Sequence, residues 1–121
     1  MALTLTIEAD NLVVIHGTDE LTRPEADAIK QQVIAYIQRV GMIRLLIVIE
    51  PGFRGIDHFA SWEDDHDDEF IQQHLLKMAI VGELKWQESA LLFFLHGLLP
   101  FSIQYFSAEQ ETLARAWLGS E

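Results

Sequence analysis

Leu3, Leu5 and Ile7 alternate with Thr4, Thr6 and Glu8, the period of a half-buried strand. Ala9-Asp10-Asn11 supplies a turn and LVVIH (12–16) a second strand, so the chain opens on an antiparallel hairpin. Thr22-Arg23-Pro24-Glu25 has the spacing of a capping box with an early proline and opens a helix. Its apolar face is Ile29, Val33, Tyr36, Ile37 and Val40, and Gly41 ends it. IRLLIVIE (43–50) is nearly continuous and rich in β-branched residues, which suits a central strand buried on both faces.

Gly52 and Gly55 punctuate a loop after that strand. A second helical pattern follows over 57–75, then MAIVG (78–82) as a fourth strand. Residues 84–96 form a third helix with Gly97 at its end, and FSIQYF (101–106) is a fifth strand. Ser107 and Gln110 repeat the capping-box spacing before a last helix that packs through Leu113, Trp117 and Leu118. The order β-β-α-β-α-β-α-β-α predicts an α/β fold: a mixed five-stranded sheet with an N-terminal hairpin, right-handed crossovers and four helices. A chain of 121 residues fits one domain, spanning 1–121.

Composition narrows the function. Half the residues are hydrophobic, which excludes a disordered chain. The absence of cysteine removes disulfides, thiolate metal sites and cysteine nucleophiles together. A formal net charge of −11, without a Lys/Arg stripe, makes nucleic acid and anionic membranes poor partners. The longest apolar stretch, 90–101, is interrupted by His96, Gly97 and Pro100 and is too short to cross about 30 Å of hydrocarbon. The start lacks the pattern of a signal peptide, so a cytoplasmic protein with no transmembrane segment is expected.

The element order, with the strings IRLLIVIE, SWEDD, MAIVGELKW, IQYF and ARAWL, resembles the SpoIIAA-like family from about Leu3 to Leu118. That family is related to STAS domains and, more distantly, to CRAL-TRIO lipid carriers. The resemblance implies a mixed five-stranded sheet with helices packed on it, often as a homodimer, and a role in binding apolar molecules or partner proteins. STAS anti-anti-sigma factors carry a phosphorylatable Ser or Thr at the start of the helix after the central strand. Here Gly55, Ile56 and Asp57 occupy that region and Ser61 lies too far along, so the resemblance does not extend to the phospho-switch.

Three features carry candidate chemistry. Phe59, Trp62, His66 and Phe70 share one face of the second helix; they form either a packing face or, with His66 reading a polar group, part of an apolar pocket. In the third helix, Leu84, Leu91, Leu95 and Leu98 are the expected core stripe, while Trp86, Ala90, Phe93 and Gly97 form a second stripe. A helix apolar all round is covered on both sides, so the second stripe is a candidate interface, a pocket wall or ordinary core. The run 62–69 places Asp64 with Asp68, and Asp65 with Glu69, on shared faces; it reads as a solvated acidic face, an attraction for a basic partner or a cation site.

Ligands of parallel sheets bind beyond the carboxyl ends of the strands. Those ends here carry Glu50, Phe53 and Arg54, then Gly82, Glu83, Lys85 and Trp86. Glu50 is expected to pair with Arg54 or Lys85, or to act as a general base in a pocket. His16 is placed at a strand end, His96 at a helix end, and His58 and His74 on the surface. The serines lack a nucleophile elbow and VGELKW lacks a phosphate-binding glycine set. These features point to a non-catalytic binding module without cofactor, metal or catalytic residues. It is expected to be homodimeric and to take an apolar, lipid-like small molecule through Phe53, Phe59, Trp62, His66, Phe70 and Trp86, or a partner protein. Trp86, Ala90, Phe93 and Gly97 are its expected interface. The alternatives are a STAS-like regulatory interaction domain that meets a basic partner, and a small enzyme using Glu50 or His66.

Overall fold

The computed structural model describes residues 3–56, 66–87 and 102–120. The opening alternation becomes a hairpin in which β1 (Leu3–Glu8) and β2 (Leu12–Leu21) pair antiparallel across a 3₁₀ turn at Ala9–Asn11. Asn11 closes the turn at φ 59°, a left-handed conformation that asparagine tolerates. β2 then pairs in parallel with β3 (Ile43–Ile56), β3 with β4 (Leu75–Gly82) and β4 with β5 (Ser102–Ser107). The sheet order is β1-β2-β3-β4-β5. This is the mixed five-stranded sheet the pattern predicts.

Three α-helices lie among the described residues: α1 (Arg23–Val40), α2 (His66–Gln73) and α3 (Glu111–Gly119). Parallel strands laid down in sequence by right-handed crossovers place their connecting helices on one face. Accordingly α1 and α2 contact each other, and their side of the sheet buries Val13, Ile15, Ile29, Val33, Ile37, Ile43, Leu45, Met78 and Ile80. α3 covers the opposite face, where Val14, Leu46, Val48, Ala79, Val81 and Phe106 pack with its Ala114 and Leu118. β3 therefore feeds both cores, as its continuous apolar run requires.

Several local expectations change. β2 runs five residues past His16, which lies inside the strand. The glycine-punctuated segment after Glu50 is extended chain, because β3 continues to Ile56 alongside Asp19, Glu20 and Leu21 of β2. The second helix ends at Gln73 and Leu75 is already strand, paired with Ile43 and buried. Leu113 is 54% exposed and Ala114 takes its place in the core, while Leu118 is buried and Trp117 packs against that core as expected. Leu84, expected in the core, is 65% exposed: the expected third helix begins as a 3₁₀ turn, Leu84–Trp86. The tighter winding changes which residues share a face. The rest of that helix lies outside the described residues.

The capping signals differ in outcome. Thr22 is the N-cap of α1 but makes no side-chain bond to the helix backbone; its Oγ1 instead meets Glu25 Oε1 at 3.5 Å. The Ser107 N–H does donate to Gln110 Oε1 at 3.2 Å, the reciprocal bond of a capping box. At the other end of α1, Gly41 adopts φ 90° and its N–H donates to the Ile37 carbonyl at 2.7 Å. Only glycine takes that backbone without strain.

Two cations fix α3 to the sheet. Arg115 donates to Glu8 through Nη1 at 2.8 Å and to Glu111 through Nε at 3.0 Å, and these carboxylates raise its pKa further against the opposing effect of burial. Lys77 of β4 donates to the Trp117 carbonyl at 2.8 Å, the Ser120 carbonyl at 2.9 Å and Ser120 Oγ at 2.7 Å. A cation on the last carbonyls of a helix also complements its dipole. Replacing Lys77 with Met keeps most of the aliphatic stem and removes the charge. Stability is expected to fall by about 1–3 kcal/mol, read as a lower urea midpoint, and α3 amides should exchange faster than those of α1.

Candidate functional site

On the α1/α2 face Ile47, Ile49, Ile103 and Tyr105 are only partly buried; of these, Tyr105 lies toward the carboxyl end of β5 and Ile49 stands level with the carboxyl end of β4, one residue past the Val48–Val81 pair. Two glycines shape the floor there. Gly17 continues the row of Val13 and Ile15, and the position of its missing Cβ lies 3.6 Å from Leu3 Cδ2 and 3.9 Å from Phe53 Cδ1. Gly82 continues the row of Met78 and Ile80. A Cβ on it would stand 2.8 Å from Ile49 Cβ and 2.9 Å from the Tyr105 hydroxyl, so glycine is required for these two residues to converge.

The aromatic groups are organised by one carbonyl. Glu83 O accepts the Tyr105 hydroxyl at 2.6 Å and the Trp86 backbone N–H at 3.1 Å. The Trp86 ring then meets Phe53 edge-on, with centroids 5.0 Å apart and planes at 78°. Lys85 Nζ lies 5.4 Å from the Trp86 ring centroid and 3.7 Å from Glu83 Oε2. Burial, reinforced by the Glu83 carboxylate, pushes the Tyr105 phenol up to about 12. Trp86 Nε1 is buried and, among the described residues, has no hydrogen-bond acceptor. An unpaired buried donor costs about 1–3 kcal/mol, so this atom stands out from its matched neighbours. Among the described residues the other such atom is Arg44 Nε, at the opposite end of β3.

Glu50 is paired differently from the expectation. It faces away from this cluster, sharing the α3 side with Leu46 and Val48, and its Oε1 lies 2.5 Å from His16 Nδ1. The parallel register explains the pairing, since His16 is opposite Val48 on the neighbouring strand. Arg54 and Lys85 are not its partners. His74, expected on the surface, is partly buried; its ring stacks on Phe70 at 4.4 Å and its Nδ1 lies 2.7 Å from the Phe70 carbonyl oxygen.

Of the sequence candidates, the structure brings Phe53 and Trp86 together. Phe70 instead packs against the core beside Ile71. His66 begins α2, and nothing is described of its side chain. Phe59, Trp62, Ala90, Phe93, Gly97 and most of the acidic run lie outside the described residues. Sequence reasoning missed Tyr105, Ile49 and Gly17, although Tyr105 and Ile49 sit on alternating positions that mark the same sheet face. Among the described residues, no group of three metal-ligating side chains is close enough to hold an ion, and no helix is long and apolar enough to cross a membrane.

Two comparisons with known proteins match. A family profile described as SpoIIAA-like matches residues 12–119. A crystal structure of an uncharacterized protein of the DUF3478 family from Shewanella loihica PV-4, with a SpoIIAA-like fold, superposes with a TM-score of 0.65. It is 19% identical, with 97% of this chain and 92% of that one covered, and the likeness is one of fold. No curated protein matches.

Two outcomes test this geometry. Gly82→Ala is expected to cost about 1–3 kcal/mol through overpacking, whereas Gly17→Ala, which meets only ordinary contacts, should change the urea midpoint little. The Tyr105 phenolate, isolated as the ultraviolet difference between the protein and Tyr105→Phe, should appear around pH 12. Because the folded pKa exceeds the unfolded value of 10.0, the contribution of Tyr105 to stability is complete below pH 10 and declines as pH rises toward about 12.

Proposed function

Since this chain belongs to the SpoIIAA-like family, we propose that it is a non-catalytic, homodimeric binding module holding a small, largely apolar molecule at the carboxyl end of its parallel strands. The observation that carries this reading is the meeting of Phe53, on β3, with Trp86, just past β4. They stand at the position where open parallel sheets bind ligands, beside the partly buried Ile49 and Tyr105. A cytoplasmic setting is consistent with the absence of cysteine.

A second reading, a regulatory domain that meets a partner protein, is favoured by a separate observation. Val40, Met42 and Leu76 are exposed at the opposite end, where the Ile43–Leu75 pair joins β3 to β4. Exposed apolar groups gathered at one end are a common mark of an interaction surface.

Native mass spectrometry on gently purified protein, repeated after denaturation, separates these readings. A dimer carrying a releasable extra mass is the expected result; a bare monomer overturns the homodimer and the resident ligand together. The neutral fluorophore N-phenyl-1-naphthylamine is expected to bind saturably, and Phe53→Ala should weaken it about tenfold. Unchanged binding by Phe53→Ala would move the ligand site elsewhere.

A further inference from the structure

We infer that the carboxyl-end site selects a neutral molecule bearing a carbonyl-type hydrogen-bond acceptor, engaged by Trp86 Nε1–H, over the same skeleton without an acceptor or with a carboxylate. This rests on the small-molecule reading above and specifies its chemistry.

Three observations support it. An indole N–H is a donor only, so it is satisfied by an acceptor and by nothing else. Among the described residues Trp86 Nε1 is buried with no acceptor, whereas its nearest described polar groups have partners. The Tyr105 hydroxyl and the Trp86 backbone N–H both go to the Glu83 carbonyl, and Lys85 goes to the Glu83 carboxylate. The body that brings the acceptor is expected to be largely apolar, because the Phe53 ring meets the indole edge-on and the nearby Gly82 is closed in by Ile49 and Tyr105, with the Lys85 ammonium 5.4 Å from the indole ring centroid.

Charge decides between a carbonyl and a carboxylate. Asp19 and Glu20 pair in register with Phe53 and Gly55 and are exposed, and Glu83 is exposed beside Tyr105. The cations at this end are Arg54 and Lys85, the latter already beside Glu83, and the whole chain carries −11. A carboxylate would bring further negative charge into this field, whereas a ketone, ester or amide oxygen accepts the same hydrogen bond without it.

Three probes of one shape test the inference: 2-acetylnaphthalene, 2-ethylnaphthalene and 2-naphthoate, titrated calorimetrically into the full chain and into Trp86→Phe. The acetyl compound is expected to bind about tenfold tighter than the ethyl compound, and Trp86→Phe should bring the two together. Naphthoate should bind more weakly than the acetyl compound at low salt, with the gap narrowing as salt is raised. In the wild-type protein the Trp86 indole N–H proton should move downfield with the acetyl compound and not with the ethyl one, a readout that survives if Trp86→Phe fails to fold. An acetyl preference that persists in Trp86→Phe, equal binding of acetyl and ethyl compounds, or an unmoved indole proton overturns the acceptor assignment alone. Tightest binding of naphthoate overturns the charge argument. Absence of binding by all three overturns the small-molecule reading and this inference with it.

Discussion

β3 has to bury both of its faces, and the rest of the molecule is arranged to let it. Ile43 and Leu45 enter the core under α1 and α2, while Leu46 and Val48 enter the core under α3. Each such side chain contributes about 1.5–3 kcal/mol when buried, against a net stability of only about 5–15 kcal/mol for a domain. A strand of this kind needs a neighbour on each edge and a layer on each face. β2 and β4 supply the edges in parallel, and parallel pairing in turn requires crossover helices. Because the strands follow one another in order across the sheet, the crossovers of fixed hand that are described gather on one side. The other side is left to the C-terminal helix, which explains why a nine-residue helix is tied down by both Lys77 and Arg115.

The same strand changes character at Glu50. Up to that point its register with β2 is regular; beyond Gly17–Ile49 the register shifts, so that Asp19 comes opposite Phe53. Regular pairing would set Phe53 opposite Leu21; the shift draws it back along β2 toward Gly17. Glu50 remains on the α3 side against His16, while Phe53 is delivered to the space beside Gly17 on the other face. The Glu50–His16 pair and the Phe53 ring thus lie on opposite faces of the sheet. The small-molecule reading draws on the aromatic face.

On that face the glycines act by absence. Gly82 makes room for Ile49 and Tyr105 to meet, and Tyr105 and Trp86 then share the Glu83 carbonyl. Burial with the neighbouring carboxylate keeps the Tyr105 phenol protonated and donating well into alkaline conditions. Ring, hydroxyl and backbone are therefore held in place. Trp86 Nε1 remains the unanswered donor within an otherwise satisfied group.

The sequence by itself determined the fold class, the sheet's hairpin start, the doubly buried β3 and the candidacy of Phe53 and Trp86. These follow from periodicity and β-branching, which are local properties that the backbone geometry reads directly. It misplaced what depends on partners distant in the chain. The extended stretch from Pro51 to Ile56 looked like a loop because its glycines break local pattern, yet β2 supplies a strand edge for it. Leu84 and Leu113 looked like core residues, but the 3₁₀ winding and the orientation of α3 turned them to solvent. Tyr105, Ile49 and Gly17 gave no signal of a site, because their significance lies in meeting Glu83, Gly82 and Phe53 across strands. Only the tertiary structure decided that Glu50 faces His16 and that Trp86 faces Phe53, since strand register is set by packing across the whole sheet and not by the residues beside each one.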